Sequence, residues 1–166
     1  NIISIDEDKL LLASEELDGA ISIYNIYKKE LTLIAKYPEI KFEKCPIILD
    51  ATIWPQTYDP ISHLLYFIVA SNLIDHKTGD HAYKYHKIIS FNMKTKEFLQ
   101  DDVDIDASGE IAEFEMVNVN DKLHLISISE KKHHVYDKKT KQIESSHKFT
   151  QLIWFRQAVC GVTHLY

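Results

Sequence analysis

Short apolar stretches alternate with charged or polar turns along this chain, and no long apolar stripe recurs at the 3.6-residue period of a helix. The stretches are rich in Ile, Leu, Val, Tyr and Phe, which favour strands. The pattern therefore predicts an all-β protein with few helices. The predicted strands cover residues 9–13, 20–24, 31–35, 46–53, 64–70, 87–91, 114–119, 122–128 and 133–136.

Three octapeptides repeat the same order of residue types. They are YNIYKKEL from Tyr24, FNMKTKEF from Phe91 and YDKKTKQI from Tyr136. In each, an aromatic residue is followed by Asn or Asp, a polar stretch with lysines, and a second large apolar residue. Because Asn and Asp side chains accept hydrogen bonds from nearby amides in tight turns, each octapeptide is predicted to form a hairpin anchored by its first and last residues.

Other predicted strands precede each hairpin, so the repeat predicts units of about four antiparallel strands. The units cover about residues 1–37, 46–104 and 111–149, with a partial unit at 150–166. Tyr24 and Phe91 are 67 positions apart, and Phe91 and Tyr136 are 45 apart. Propeller repeats span ~40–50 residues, so an insertion is predicted in the second unit, at the polar run of residues 72–83.

The two anchors of each octapeptide have six positions between them. The pairs are Tyr24 and Leu31, Phe91 and Phe98, and Tyr136 and Ile143. This arrangement resembles kelch-type β-propeller repeats, although the family's Gly pair after the second strand and its Trp at the second anchor are missing. The resemblance implies blade-like antiparallel units, protein partners and adaptor roles. A β-sandwich is the alternative fold.

Ring closure is left open by the sequence. Propellers have ~4–8 blades, whereas this chain supplies three clear units and a partial one. The chain could be a piece of a longer ring, or its partial unit could pair with residues 1–5. Two chains could also complete one ring, so further blades from the same or another chain are possible partners, or the fold could be a sandwich.

Charge and composition exclude several classes of protein. The net charge of −6 and a pI of about 5.8 give no concentrated basic face for nucleic acid. No stretch has the length of a membrane span. Two cysteines, Cys45 and Cys160, are too few for a disulfide framework and lack the spacing of a zinc site, so a cytoplasmic protein is predicted. Targeting cannot be judged, since the chain begins with Asn1 rather than Met.

The insertion carries the candidate binding residues. They are Asp75, His76, Asp80, His81, Tyr83 and Tyr85, within a loop surface at residues 72–84. The spacing of its histidines matches no ordinary metal site, so no metal is predicted there. Alternating carboxylates at residues 102–106 are of the kind that calcium loops use, but Ala107 stands where the sharp turn needs Gly. An acidic surface connection is the predicted role.

Catalytic motifs are not found. The chain has no Gly-x-Ser-x-Gly elbow, and its four glycines are isolated, so no phosphate-cradling loop is present and no cofactor is predicted. The prediction is therefore a non-catalytic protein-interaction or scaffold module of β-propeller type. One alternative is a propeller-type enzyme with a central active site. Another is a structural subunit of a large assembly, which large exposed apolar edges would favour.

Overall fold

The computed structural model describes residues 2–14, 20–38, 40, 50–74, 81–99, 103–105, 114–128 and 130–150. These residues form thirteen strands, and none of them lies in a helix, so none belongs to a helix that could cross a membrane. The strands are β1 (Ile2–Asp6), β2 (Lys9–Ser14), β3 (Ala20–Asn25), β4 (Glu30–Lys36), β5 (Asp50–Asp59), β6 (Leu64–Ile74), β7 (His81–Asn92), β8 (Glu97–Phe98), β9 (Val103–Ile105), β10 (Phe114–Val119), β11 (Lys122–Ser127), β12 (Lys132–Asp137) and β13 (Gln142–Lys148).

Three antiparallel sheets contain all of these strands. The first sheet has the order β1-β2-β3-β4, the second β5-β6-β7-β8 with β9 also paired to β7, and the third β10-β11-β12-β13. Apart from β9, the strands of each sheet pair with their neighbours in sequence, so every sheet contains a four-stranded up-and-down unit like a propeller blade. The predicted all-β class, with three antiparallel repeat units, is confirmed. The division of the chain into domains stays a prediction.

The second sheet lies between the other two and is buried on both faces. Alternate residues of β6 pack in opposite directions: Leu65 and Phe67 pack with Leu11 of the first sheet, whereas Tyr66 and Ile68 pack in a second core with the third sheet. This two-sided burial explains why residues 64–70 are a continuous apolar run rather than an alternating one.

The sheets approach each other most closely near their first strands. Between sheets, the main contacts join β1 and β2 to β5, and β5 to β10. The last strands, β4, β8 and β13, lie at the other edge of each sheet. The three sheets are therefore arranged as blades are, with their first strands on the inner side.

The predicted hairpins are confirmed at β3–β4, β7–β8 and β12–β13. The Oδ1 atom of Asn25 accepts a hydrogen bond from the Lys28 amide at 2.9 Å. Asn92 Oδ1 accepts from the amides two and three residues later at 2.9 and 3.2 Å, and Asp137 Oδ1 does the same at 2.7 and 2.9 Å. Each turn ends on a lysine in the left-handed region, with φ of 57°, 61° and 58° at Lys29, Lys96 and Lys141.

A second repeated hydrogen bond was not predicted from the sequence. In each sheet, the residue just before the second strand accepts a backbone hydrogen bond from the residue after the turn Asn or Asp. The carbonyls of Asp8, His63 and Asp121 accept from the amides of Ile26, Met93 and Lys138 at 2.9, 2.9 and 3.1 Å. This bond joins the two hairpin turns at the same end of every sheet, and it shows that the repeat extends to backbone geometry.

Some strand predictions were wrong in extent. Residues 2–6, considered as a partner for a partial unit, form β1 and pair with β2. Strand β5 runs beyond the predicted end at Ile53, through Pro55, to Asp59. Proline is tolerated because β5 is an edge strand of its sheet and a register shift follows Pro55. The second strand of the third predicted hairpin, β13, was expected only from its anchor Ile143, and it continues to Lys148.

Candidate functional site

Strands extend into the predicted insertion from both sides. β6 continues to Ile74 and β7 begins at His81, with Ile74 paired to His81 and Asn72 to Tyr83. Backbone pairing thus covers six of the twelve residues of the polar run, where a loop had been predicted from its composition, and residues 75–80 lie outside the described residues. His81, Tyr83 and Tyr85 occupy alternate positions of β7. Asp75, His76 and Asp80 lie outside the described residues, and binding by this set of six stays a prediction.

The acidic segment also contains a strand. Residues 103–105 form β9, which pairs with β7. The carboxylate of Asp104 lies 3.6 Å from the ammonium group of the buried Lys87. Asp102 and Asp106 lie outside the described residues. The described part of this segment therefore completes the second sheet.

An equivalent row of side chains crosses each sheet at the anchors of the octapeptides, and we call it the anchor row. The strand registers give the rows Ser4, Leu10, Tyr24 and Leu31; Tyr58, Leu65, Phe91 and Phe98; and Asn118, Leu123, Tyr136 and Ile143. A leucine on the second strand faces the aromatic residue of the third strand in every sheet. The repeat therefore predicts the same environment for all three rows.

Two of the anchor rows are buried against the preceding sheet. Leu65 and Phe91 are fully buried in the core that joins the second sheet to the first. Leu123 is fully buried, and Tyr136 nearly so, in the core that joins the third sheet to the second. Each sheet thus packs its anchor row onto the sheet before it in the chain.

The anchor row of the first sheet has no preceding sheet among the described residues. Leu10 and Tyr24 are half-buried, and Leu31 is 52% exposed. A neighbouring row on the same face adds Leu33 at 58% and Ile2 at 68% exposure. We call this surface, together with the half-buried Leu12, the docking face. Its apolar residues lie on four adjacent strands, and two serines share their rows: the exposed Ser4 beside Leu10, and the buried Ser22 between Leu12 and Leu33.

A contiguous apolar surface of this kind marks a contact site in most proteins, whereas single exposed apolar residues are ordinary. The docking face differs from a scattered set because its residues are cross-strand neighbours: Ile2 faces Leu12, and Tyr24 faces both Leu10 and Leu31. Its shape is that of a pleated sheet surface. What it can do is pack against a flat apolar partner.

The contact between the second and third sheets includes a buried ion pair. The ammonium group of Lys138 donates to Asp59 Oδ2 at 2.8 Å, to Asn118 Oδ1 at 2.9 Å and to the Asn120 carbonyl at 2.8 Å. Asp59, at the end of β5, also accepts from the hydroxyl of Ser62 at 2.8 Å. Burial by itself would raise the pKa of Asp59, but the hydrogen bonds from Lys138 and Ser62 and the charge of Lys138 outweigh it, so the pKa lies below its usual value.

The residue at the repeat position of Lys138 also differs between the sheets. Its equivalents, one residue after the turn Asn, are Ile26 in the first sheet and Met93 in the second. Met93 packs against the core between the first and second sheets, and Ile26 is 41% exposed. At this position the second sheet thus has an apolar contact through Met93, and the third sheet has an ion pair through Lys138. In the first sheet, the side chain of Ile26 is exposed.

The sequence reasoning did not find the docking face. It had identified the octapeptides and their anchors, but Tyr24 and Leu31 looked the same as their buried equivalents. The available signal was geometric. Three stacked sheets have six faces and two interfaces, so two outer faces are left uncovered within the stack. When every sheet packs its anchor row onto the sheet before it, the anchor row of the first sheet is on one of those outer faces.

Comparisons with protein-family models and with curated proteins found no match. Among solved structures, the chain is similar to a chain of a nidogen/laminin complex, with 8% identity and a TM-score of 0.38 over 85% of this chain and 59% of the other. Apo AztD from Citrobacter koseri matches at 12% identity and TM-score 0.38, over 89% of this chain and 46% of that one.

A putative dipeptidyl aminopeptidase IV from Bacteroides ovatus matches at 11% identity and TM-score 0.34, over 85% of this chain and 28% of that one. These are β-propeller-type folds. The chain spans less than two thirds of the length of each of them. At such low scores, the description of the fold rests on the three sheets themselves.

Proposed function

We propose that this chain is a protein-interaction or scaffold module of β-propeller type, without a catalytic role, and that its docking face receives another antiparallel sheet. The observation that carries the proposal is that the first sheet's anchor row is only half-buried at Leu10 and Tyr24 and is exposed at Leu31, whereas the equivalents of Leu10 and Tyr24 in the other two sheets are buried. The kelch-like pattern of the octapeptides supports the same proposal, since it implies protein partners.

The partner is defined by the surfaces that cover the other two anchor rows. Phe91 and Leu65 are covered by Leu11 and Ile21 of the first sheet, and the third sheet's row is covered by Tyr66 and its neighbours. A sheet that presents alternating apolar side chains of that kind would fit the docking face. It would remove Ile2, Leu31 and Leu33 from water, and burial of such side chains stabilises a contact by roughly 25 cal/mol per Å² of apolar area.

The experiment is size-exclusion chromatography with light scattering over a range of concentrations. Because the isolated chain exposes the docking face, we expect its mean mass to rise with concentration. The double substitution Leu31→Lys and Leu33→Lys should return it to a monomer at every concentration, since charges on an exposed edge strand oppose sheet packing. Both residues are more than half exposed, so the fold should be retained.

Ile61→Lys is the matched control. Ile61 is 90% exposed, more than any docking-face residue, but it lies in the turn between β5 and β6. The control should associate as the unchanged chain does. Equal masses for the unchanged chain and the Leu31→Lys, Leu33→Lys variant at all concentrations would overturn the proposed role of the docking face.

A second candidate is a structural subunit of a large assembly, which the exposed apolar face also favours. The two candidate functions differ in whether association is reversible on dilution. An interaction module should dissociate on dilution, whereas a subunit should form one oligomer of fixed size that persists. We also propose a cytoplasmic location, since the sequence shows no disulfide framework.

The strand extension at residues 72–74 and 81–85 is the proposed second contact surface, because three of the six candidate residues, His81, Tyr83 and Tyr85, lie on β7 toward the end of the sheet opposite the tight turns. Replacing His81, Tyr83 and Tyr85 with alanine should leave the mass distribution of the isolated chain unchanged. Loss of concentration-dependent association in that variant would assign self-association to the extension instead of the docking face.

A further inference from the structure

The far face of the third sheet carries two histidines where the other sheets carry buried apolar residues. His124 and His133 occupy the repeat positions of Leu11 and Ile21 in the first sheet, and of Tyr66 and Ile88 in the second. All four of those equivalents are buried in cores between sheets. The third sheet thus has imidazole rings at the two positions that elsewhere provide packing.

The two imidazole rings are in direct contact. His124 Nδ1 lies 3.0 Å from His133 Nε2, and the rings are stacked with centroids 5.1 Å apart and an interplanar angle of 16°. The residues lie on adjacent antiparallel strands and are diagonal neighbours two register positions apart, because His124 faces Val135 and His133 faces Ile126. Two ring nitrogens are therefore held side by side by a sheet rather than by a loop.

A third histidine lies beside the pair. His147 is the direct cross-strand neighbour of His133 on β13, so three histidines occupy one area of this face.

We infer that His124 and His133 form a binding site for one divalent transition metal ion of the type that prefers imidazole, such as Cu²⁺, Ni²⁺ or Zn²⁺. Two nitrogens each about 2.0–2.1 Å from one ion, at an angle near 90–110°, lie roughly 2.9–3.4 Å apart, and the observed separation is within that range. The ion would replace the hydrogen that the two rings now share.

The site consists of a pair of ligands. Within the described part of the chain, no group of three or more His, Cys, Asp or Glu side chains is arranged to hold a metal ion. Water would complete the coordination, as it does in sites with few protein ligands. The inference does not depend on the proposed interaction function, since it rests on a different sheet and a different face.

The test is a titration of the metal-free chain with Ni²⁺ and Zn²⁺ by isothermal calorimetry, with His124→Gln and His133→Gln as variants. We expect one ion per chain and an affinity that falls at least about tenfold in each variant, because loss of a direct ligand should cost no less than loss of a supporting residue. His63→Asn is the control: it removes a histidine but keeps a residue that tolerates the φ of 58° at that position. The control should bind as the unchanged chain does.

A second readout locates the ion and does not depend on the stability of the variants. Substoichiometric Cu²⁺ should broaden the amide NMR signals of β11 and β12 first. Broadening confined to residues 76–86, where the other histidine group of the sequence lies, would overturn the assignment. Unchanged affinity in both His124→Gln and His133→Gln would also overturn it, and would leave the pair as a hydrogen bond within the sheet.

Discussion

The first and second sheets have the same antiparallel order of four strands, the same kind of turn and an equivalent anchor row, yet the row is much more deeply buried in the second sheet than in the first. Phe91 has no exposed surface, while its equivalent Tyr24 is half-buried and the neighbouring Leu31 is 52% exposed. The difference comes from position in the stack, because the second sheet packs onto the first and nothing described packs onto the docking face. The comparison teaches that a repeat sequence encodes the surface of a unit, whereas the neighbours of that unit decide whether the surface is core or contact site.

The largest expected difference is between Phe91→Ala and Tyr24→Ala. Truncating the buried Phe91 should lower the free energy of unfolding by about 3–5 kcal/mol, because it leaves a cavity between two sheets. Tyr24→Ala should cost less than half of that, since water already reaches the side chain. Urea unfolding of both variants measures this. Equal losses would mean that the docking face is covered in the isolated chain.

Next in size is Lys138→Met, which gives the third sheet a side chain like Met93 of the second. Asp59 would then be buried without its partner, and removing one member of a buried ion pair costs about 3–5 kcal/mol. We expect a loss near the lower value, because Ser62 and the Ile61 amide still donate to Asp59. Adding Asp59→Asn should recover part of it. A double variant as unstable as Lys138→Met alone would show that the sheets need the ion pair itself.

A smaller effect should be seen as a pH dependence. The pKa of Asp59 is lowered in the folded chain, so its contribution to stability is present above the ordinary aspartate pKa of about 4 and is lost as the pH falls through the lowered value. Urea midpoints of the unchanged chain should therefore decrease more steeply below pH 5 than those of Asp59→Asn. Parallel curves for the two proteins would contradict this assignment.

The smallest expected effect concerns the turns, where equivalent substitutions in the first and second sheets should lower the free energy of unfolding by similar amounts. Asn92→Ala removes an acceptor for two backbone amides and Asn25→Ala an acceptor for one, so each should cost about 1 kcal/mol in chemical denaturation. Both turns lie outside the packed faces. A much larger loss in one sheet than in the other would mean that the difference between the sheets extends beyond the faces to the hairpins.

The sequence predicted most of the fold because its signals are local. The order aromatic, Asn or Asp, lysines and apolar residue located three hairpins, and the structure confirms their turns at Asn25, Asn92 and Asp137. Strand ends were less well predicted. Pro55 suggested that the strand ends before it, but proline is tolerated in β5 because β5 is at the edge of its sheet. The polar run after Asn72 suggested a loop, although backbone pairing continues there to Ile74 and resumes at His81.

The candidate surfaces could not be predicted from the sequence for a different reason. The docking face depends on which sheet lies next to which, and this is a property of the stack rather than of any unit. The histidine pair depends on strand register within the third sheet, where His133 and His134 lie on opposite faces of β12. The contact of His133 with His124 follows only from the register of β11 and β12.

The backbone hydrogen bond that joins the two turns at one end of every sheet also bears on how such a chain can diversify. That end is constrained in all three sheets, since Asp8, His63 and Asp121 each accept the same bond. At the opposite end of the sheets, β6 and β7 extend to nearly twice the length of β2 and β3. Insertions can accumulate at that end without disturbing the hairpins, so new specificities would be expected to evolve from one rim while the other preserves the fold.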